Sequence, residues 1–297
     1  MLLIGVLYFA GVAMVLYPMF GNIYSMSTSR TAIKDYQETV EQMPDTEISE
    51  ILRVANSYNQ KLARGVIDQE KNRALNGDNH IMCYVDVPSQ GIYLPVYFGT
   101  DKDVLERGCG WLENTSLPVG GSSTHSVISG HTGLPNAEMF TKLDMVQKGD
   151  LFYIHVLNDT LVYQVESIEA VQPNRTELLT IVPDKDYVTL LTCTPYGIND
   201  KRLLVRGERL ITPVPKEDAS ETEPVPQSED SEEAETALTN RIRHDFLIIS
   251  VIAAVAVIAF IAACIWLNVA LKQKPRPAKY ARVEKRSGDD DAKKEKE

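Results

Sequence analysis

Two uncharged apolar runs lie near the ends of the chain, and between them hydrophobic residues recur first at helical and then at strand spacing. Residues 2–20, LLIGVLYFAGVAMVLYPMF, and residues 246–270, FLIISVIAAVAVIAFIAACIWLNVA, carry no charged side chain. Each supplies the roughly 20 apolar residues that a membrane-crossing helix requires. After the first run, Ile33, Tyr36, Val40 and Met43 fall on one helical face that Pro44 ends. A second helix is predicted from a cap at Asp45 or Thr46, with Ile48, Ile51, Leu52, Ala55, Tyr58 and Leu62 on one face and a stop near Gly65. From Ile81 the period shortens to two. Runs such as IMCYVDVP, IYLPVYFG, THSVIS, LFYIHVL, LVYQVESIEAV, YVTLLTC and RLLVRGERL are separated by turn residues, with a short helix expected over 136–143. Many short strands over ~130 residues predict a mainly β fold, a closed or nearly closed barrel.

Composition adds the flanks. Residues 212–240 are acidic, contain proline and hold almost no large apolar side chain, which predicts an extended stalk that cannot bury enough surface to fold. The chain thus divides into an N-terminal span (1–20), a helical region (21–80), a β domain (81–211), an acidic disordered stalk (212–245), a second span (246–270) and a charged tail (271–297). The first run lacks a basic leader and a small-residue cleavage site, so it is expected to be retained. The stretch KQKPRPAKYARVEKR follows the second run, and basic flanks stay in the cytoplasm. Both termini are therefore expected inside the cell membrane and residues 21–245 outside.

Charge narrows the partners. Residues 21–245 carry 20 Lys and Arg against 35 Asp and Glu, a net of −15, whereas 246–297 carry 10 against 6, a net of +4. An acidic exported body argues against nucleic acid, which requires a cationic face. No HExxH or paired-cysteine spacing is present, so no metal site is expected.

The chemistry gathers around VTLLTCTPYGINDKRLLVRG, residues 188–207. Cys193 ends a predicted strand just before the Thr194-Pro195-Tyr196-Gly197 turn, where a rigid sheet aims side chains into clefts. By position alone it is either a nucleophile or a small core residue. Cys83 is in phase with Val85 and Val87, which reads as a buried apolar position, although pairing with Cys109 would also be possible. A nucleophilic thiol needs a base or cation beside it. Among the five histidines, His131 leaves a strand in SGHTGLP between Gly130 and Gly133, whereas His125 and His155 lie within strands and read as structural. Arg202 shares a strand face with Leu204 and Arg206. It would lie beside Cys193 if the two strands pair through the 194–200 loop.

TLLTCTP, with the arginine of RLLVRG nine residues after the cysteine and SGHTGLP upstream, resembles the sortases. With YVDVP, SLPVGG and LDMVQKGD, the set is similar to the class C, pilus-building branch across roughly residues 30–211. The resemblance implies a closed eight-stranded sortase-type barrel with N-terminal helices, flanked by two transmembrane helices. It carries the nucleophile onto Cys193, the histidine onto His131 and the arginine onto Arg202. It also implies cleavage of a Leu-Pro-x-Thr-Gly-like sorting signal between Thr and Gly, with transfer to an amine such as a pilin lysine and without a metal or organic cofactor. Two rival readings are attachment of surface proteins to cell-wall precursors and a catalytically silent, membrane-tethered binding module. The Cys109-Gly110-Trp111 triplet matches papain-like proteases only in part; the rest of that signature is missing.

One departure from the class C pattern generates a prediction. The stretch GVIDQEKNRALNGDNH, residues 65–80, has no Asp-Pro-aromatic triplet to plug the cysteine. A plug lowers apparent reactivity by the fraction of time it is closed, so an open site has little to gain from losing one. Deleting residues 66–78 is expected to change the alkylation rate of Cys193 by less than about threefold. A tenfold or greater rise, with the circular dichroism unchanged, would reveal a lid.

Overall fold

The computed structural model describes residues 2–66, 81–210 and 229–272. The segment singled out for its missing plug therefore lies almost wholly outside the described residues, as do 211–228 of the acidic stretch and 273–297 of the tail. The chain forms two compact units, residues 1–13 with 248–297, and residues 14–247.

The predicted span and the following helix are one element, α1 (Leu2–Glu41), with Pro18 inside it. The polar stretch between them stays helical. There the Thr28 hydroxyl bonds back to the Tyr24 carbonyl at 2.9 Å and Thr31 to Ser27 at 3.0 Å, which satisfies hydroxyls within the helix. Ile23, Ile33 and Val40 are buried, and the seven-residue spacing of Ile33 and Val40 puts those two on one helix face. The second helix, α2 (Asp45–Ala63), has Pro44 as its N-cap residue, without a side-chain cap, rather than Asp45 or Thr46. A second long helix, α4 (Glu229–Lys272), runs through the second apolar run and begins well before it. The expected stalk is therefore helical from Glu229 onward, as suits a stretch that contains Glu and Ala, with acidic residues at its N-terminal end. Both α1 and α4 are long and apolar enough to cross a membrane. In the first unit, the Tyr8 hydroxyl donates to the Ala256 carbonyl at 2.7 Å and the Tyr8 ring stacks on Phe260.

Residues 81–210 form a closed eight-stranded barrel, as expected. Its strands are β1 (Ile81–Val87), β2 (Ile92–Phe98), β3 (Cys109–Trp111), β4 (Thr124–Ser129), β5 (Leu151–Val156), β6 (Asp159–Val171), β7 (Asp186–Thr194) and β8 (Lys201–Arg209), closed in the order β1-β2-β3-β4-β7-β8-β6-β5. A short helix, α3 (Lys102–Arg107), links β2 to β3. β3 was not among the seven strand-like runs, because three residues are too few to show a period. The pairs β2–β3 and β4–β7 are parallel and the other six antiparallel. The helix expected over 136–143 is a single 3-10 turn, Leu143–Met145. Met139 just before it takes a left-handed φ of 42°, which interrupts helical continuation.

Closure places Trp111, Phe152, Tyr163, Ile128, Leu190 and Val205 in one core, with Phe152 stacked on Tyr163. Cys83 and Cys109 are both free and 0% exposed in that core, so they serve as small apolar fillers. Burial pushes the Cys83 thiol pKa well above its ordinary value.

The second helix docks through one buried amide. Asn59 Nδ2 donates to the Leu117 carbonyl at 3.1 Å, and its Oδ1 accepts the Leu117 N–H at 2.7 Å. Truncation leaves the Leu117 N–H buried and unpaired, at about 1–3 kcal/mol, while its carbonyl keeps the Val119 N–H at 2.8 Å. Asn59→Ala is thus expected to lower the urea midpoint clearly. An unchanged midpoint would mean that the Asn59 bonds contribute nothing to docking α2.

Candidate active site

The Cys193 side chain belongs to the outward face of β7. Val188, Leu190 and Thr192 point inward, and the first two join the core cluster; the alternate set, Thr189, Leu191 and Cys193, faces away. β8 pairs antiparallel with β7 in a register that sets Cys193 opposite Arg202 and Leu191 opposite Leu204. Cross-strand partners share a face, so the guanidinium and the thiol emerge on the same side of the sheet.

His131 arrives from the other edge. β4 runs parallel to β7 with Ser129 level with Leu191. The ladder continues one step, as the Gly130 N–H donates to the Leu191 carbonyl at 3.0 Å and the Thr192 hydroxyl donates to the Gly130 carbonyl at 2.7 Å. Extending the register by two residues brings His131 level with Cys193. Three neighbouring strands, β4, β7 and β8, thus deliver histidine, cysteine and arginine to one end of one sheet face.

The two glycines beside His131 act differently from each other. Gly133 uses its freedom, at φ 75°. Gly130 instead makes room: a β-carbon there would sit 2.7 Å from the ring of Phe140, a fully buried side chain. That ring carries the loop back over the strand end, where the Phe140 N–H donates to the His131 carbonyl at 3.0 Å and the Gly133 N–H to Thr141 Oγ1 at 3.1 Å.

Electrostatics separate Arg202 from its neighbours on β8. Arg206 reaches Glu166 at 3.4 Å and lies over the Tyr187 ring, and Arg209 lies over Tyr163. Among the described residues, Arg202 bonds only to the backbone carbonyls of Lys201, at 3.1 Å, and Asn199, at 3.4 Å. Its remaining donors are left for a ligand oxygen.

The other histidines are engaged elsewhere. His125 is fully buried, with Nδ1 2.9 Å from the Thr180 carbonyl and Nε2 2.7 Å from the Thr189 hydroxyl. A carbonyl only accepts, so Nδ1 carries the proton and Nε2 accepts from Thr189. Burial lowers the His125 pKa, which keeps the ring neutral as a tether for the β6–β7 connection. His155 stacks on Tyr84 at 4.4 Å between centroids, and burial lowers its pKa to about 4. Sequence patterning missed two exposed apolar side chains in the turn beside Cys193. Tyr196 and Ile198, in the turn after Cys193, are 66% and 70% exposed, an apolar rim that no periodicity marks inside a turn. The described residues hold no cluster of His, Cys, Asp and Glu suited to a metal.

Comparison with known proteins bears on the family and the fold. The family described as Sortase domain matches residues 85–210. The chain is 32% identical over 178 residues to sortase A of Staphylococcus aureus (strain NCTC 8325 / PS 47), an alignment covering 57% of this chain and 79% of that protein. The crystal structure of Clostridium perfringens sortase C with the C-terminal cell wall sorting motif is 46% identical, with a TM-score of 0.58, covering 61% of this chain and 99% of that one. The Streptococcus pneumoniae sortase C structure, described as informative on catalysis and pilin substrate specificity, is 44% identical with a TM-score of 0.56, covering 61% and 96%.

Exposure distinguishes the three cysteines of the barrel. Iodoacetamide is expected to modify half-buried Cys193 in the native protein, and Cys83 and Cys109 only after denaturation, as peptide mass mapping would reveal. Native modification of Cys83 or Cys109 ahead of Cys193 would contradict the burial pattern.

Proposed function

The chain belongs to the sortase family of cysteine transpeptidases, with class C enzymes among its structural relatives, and we propose that it is a membrane-anchored pilin polymerase. Its substrate would be a Leu-Pro-x-Thr-Gly-like sorting signal, cleaved between Thr and Gly. The acyl acceptor would be a pilin lysine amine. The observation that carries this reading is the pairing of Cys193 with Arg202 across β7–β8 at the strand end from which His131 emerges on the opposite flank.

In the proposed reaction the Cys193 thiolate attacks the threonine carbonyl carbon. The carbonyl oxygen becomes an oxyanion that the Arg202 guanidinium stabilises by charge-assisted hydrogen bonds. As the C–N bond breaks, the imidazolium of His131 gives its proton to the departing glycine amine, leaving a thioester on Cys193. An incoming lysine amine then attacks that thioester and yields its proton to His131. Collapse forms the new amide bond and regenerates the thiolate–imidazolium pair. The thioester divides one difficult amide exchange into two easier steps. The exposed Tyr196 and Ile198 would line the mouth through which the apolar part of the signal enters.

The two long apolar helices support anchoring in the cell membrane, with the barrel outside and both termini in the cytoplasm. The basic stretch after the second run supports that orientation. The class C neighbours favour a pilin amine over a cell-wall precursor as acceptor, and the site geometry favours an enzyme over a silent binding module.

The test is covalent capture of a sorting-signal peptide, mapped by mass. Cys193→Ala should abolish the adduct, while Cys83→Ala and Cys109→Ala retain substantial activity. Arg202→Lys keeps the charge but loses the planar fork, and its turnover is expected to fall by about 10²–10³. An adduct on another cysteine, or near-parental turnover of the lysine variant, would overturn the assignments.

A further inference from the structure

The loop that carries His131 is gripped from outside the barrel by α1. Asn22, half-buried and just beyond the first apolar run, accepts the Glu138 N–H on its Oδ1 at 3.0 Å. One residue earlier the two backbones nearly touch: a β-carbon on Gly21 would stand 2.5 Å from Asn136 Cβ and 2.9 Å from its Cα. No side chain fits there without moving the loop.

From this grip a short bonded path leads to the histidine. The Glu138 carbonyl accepts the Thr141 N–H at 2.8 Å, and the Glu138 carboxylate reaches Lys142 at 3.2 Å. Thr141 Oγ1 holds the Gly133 N–H, and the adjacent Phe140 N–H is bonded to the carbonyl of His131 itself. On its strand side, Gly130 is pinned by Leu191 and Thr192. The loop is thus fixed at one end by β7 and at the other by α1. Only the second anchor lies outside the barrel.

We propose that Gly21 and Asn22 are positioning residues for His131, making α1 a working part of the active site as well as an apolar anchor. Their contact holds the imidazole where it can protonate the departing amine. Nothing in the contact touches Cys193 or Arg202, so its effect is read most directly in proton delivery to the departing amine. The proposal rests on the transpeptidase reading given above.

That separation makes a leaving-group experiment decisive. The full-length protein in detergent is acylated, in single turnover, by a sorting peptide containing the Thr–Gly amide and by the same peptide with a Thr–thioglycolate thioester. With either substrate the Cys193 sulfur bonds to the threonine carbonyl carbon. The amide nitrogen must leave with a proton, whereas the thioester sulfur leaves as a thiolate and needs none.

A misplacement of an ångström can cost as much as about 10²-fold in rate. For loss of one hydrogen bond we expect Asn22→Ala to slow the amide reaction about tenfold, with the thioester reaction within about twofold of the parent. Gly21→Ala should show the same pattern more strongly. Asn22→Asp keeps an acceptor for the Glu138 N–H and should recover most of the amide rate. Parental amide rates in Asn22→Ala and Gly21→Ala would overturn the proposal. So would parallel loss on both substrates, the mark of a purely structural role. A parent protein acylated by neither substrate would sink the transpeptidase reading, and the positioning role with it.

Discussion

Strand register around β7 is the constraint on which the site depends. β7 is held on both edges at once, by parallel β4 through Thr124–Asp186 to Ser129–Leu191 and by antiparallel β8 through Tyr187–Glu208 to Thr194–Lys201. Side chains alternate with a period of two, so a one-residue slip would turn Cys193 into the barrel and Thr192 out of it. Such a slip would also expose Val188 and Leu190, both in the core cluster. The energy that keeps the thiol facing out is therefore the burial energy of its inward neighbours, at roughly 1.5–3 kcal/mol for each fully buried aliphatic side chain. The geometry of the candidate site is a by-product of packing.

The same logic explains why three chemically similar cysteines have different fates. Cys83 and Cys109 lie on inward-facing strand positions, and burial raises both thiol pKa values, so neither becomes a thiolate at neutral pH. Cys193 sits on the opposite face, at a strand end, across from a guanidinium whose donors are largely uncommitted. The arginines follow a parallel sorting. Arg206 and Arg209 spend their charge on Glu166 and on aromatic faces, whereas Arg202, where the strand meets the turn, has no described acidic partner. Position along a strand, more than residue type, decides which groups remain available for chemistry.

The helices contact the barrel at both ends: Asn22 meets the loop that carries His131, and the other contacts lie at the end away from Cys193. α2 docks by the Asn59 amide on Leu117, and by Tyr58 edge-on to Trp111. α1 docks through Tyr36, whose hydroxyl donates to the Met82 carbonyl and accepts the Leu157 N–H, and through Asn22 on the 136–138 segment. Each of these hydrogen bonds satisfies backbone groups at strand ends or in loops, where the barrel ladder no longer does so. A helix that continues an apolar run thus also completes the polar bonding of the barrel rim.

The sequence by itself determined the local elements and their chemistry. Period-two runs gave seven strands, the two uncharged stretches gave the long apolar helices, and the family resemblance carried by TLLTCTP, SGHTGLP and RLLVRG named Cys193, His131 and Arg202 as candidate site residues. These features are legible because they rest on alternation, composition and short-range spacing. Tertiary structure decided the rest. β3 is too short to carry a period and exists because Val96 and Ser129 flank it as partners. The 21–29 stretch separates the two predicted helices, yet it remains helix, with the Thr28 hydroxyl bonded to the Tyr24 carbonyl and Ile23 buried. Gly130 reads as a flexible hinge, but it is required by the ring of Phe140, ten residues away. That Asn22 bonds Glu138 could not be read at all. No pattern links positions so far apart in the chain, and only closure of the barrel beneath α1 brings them together.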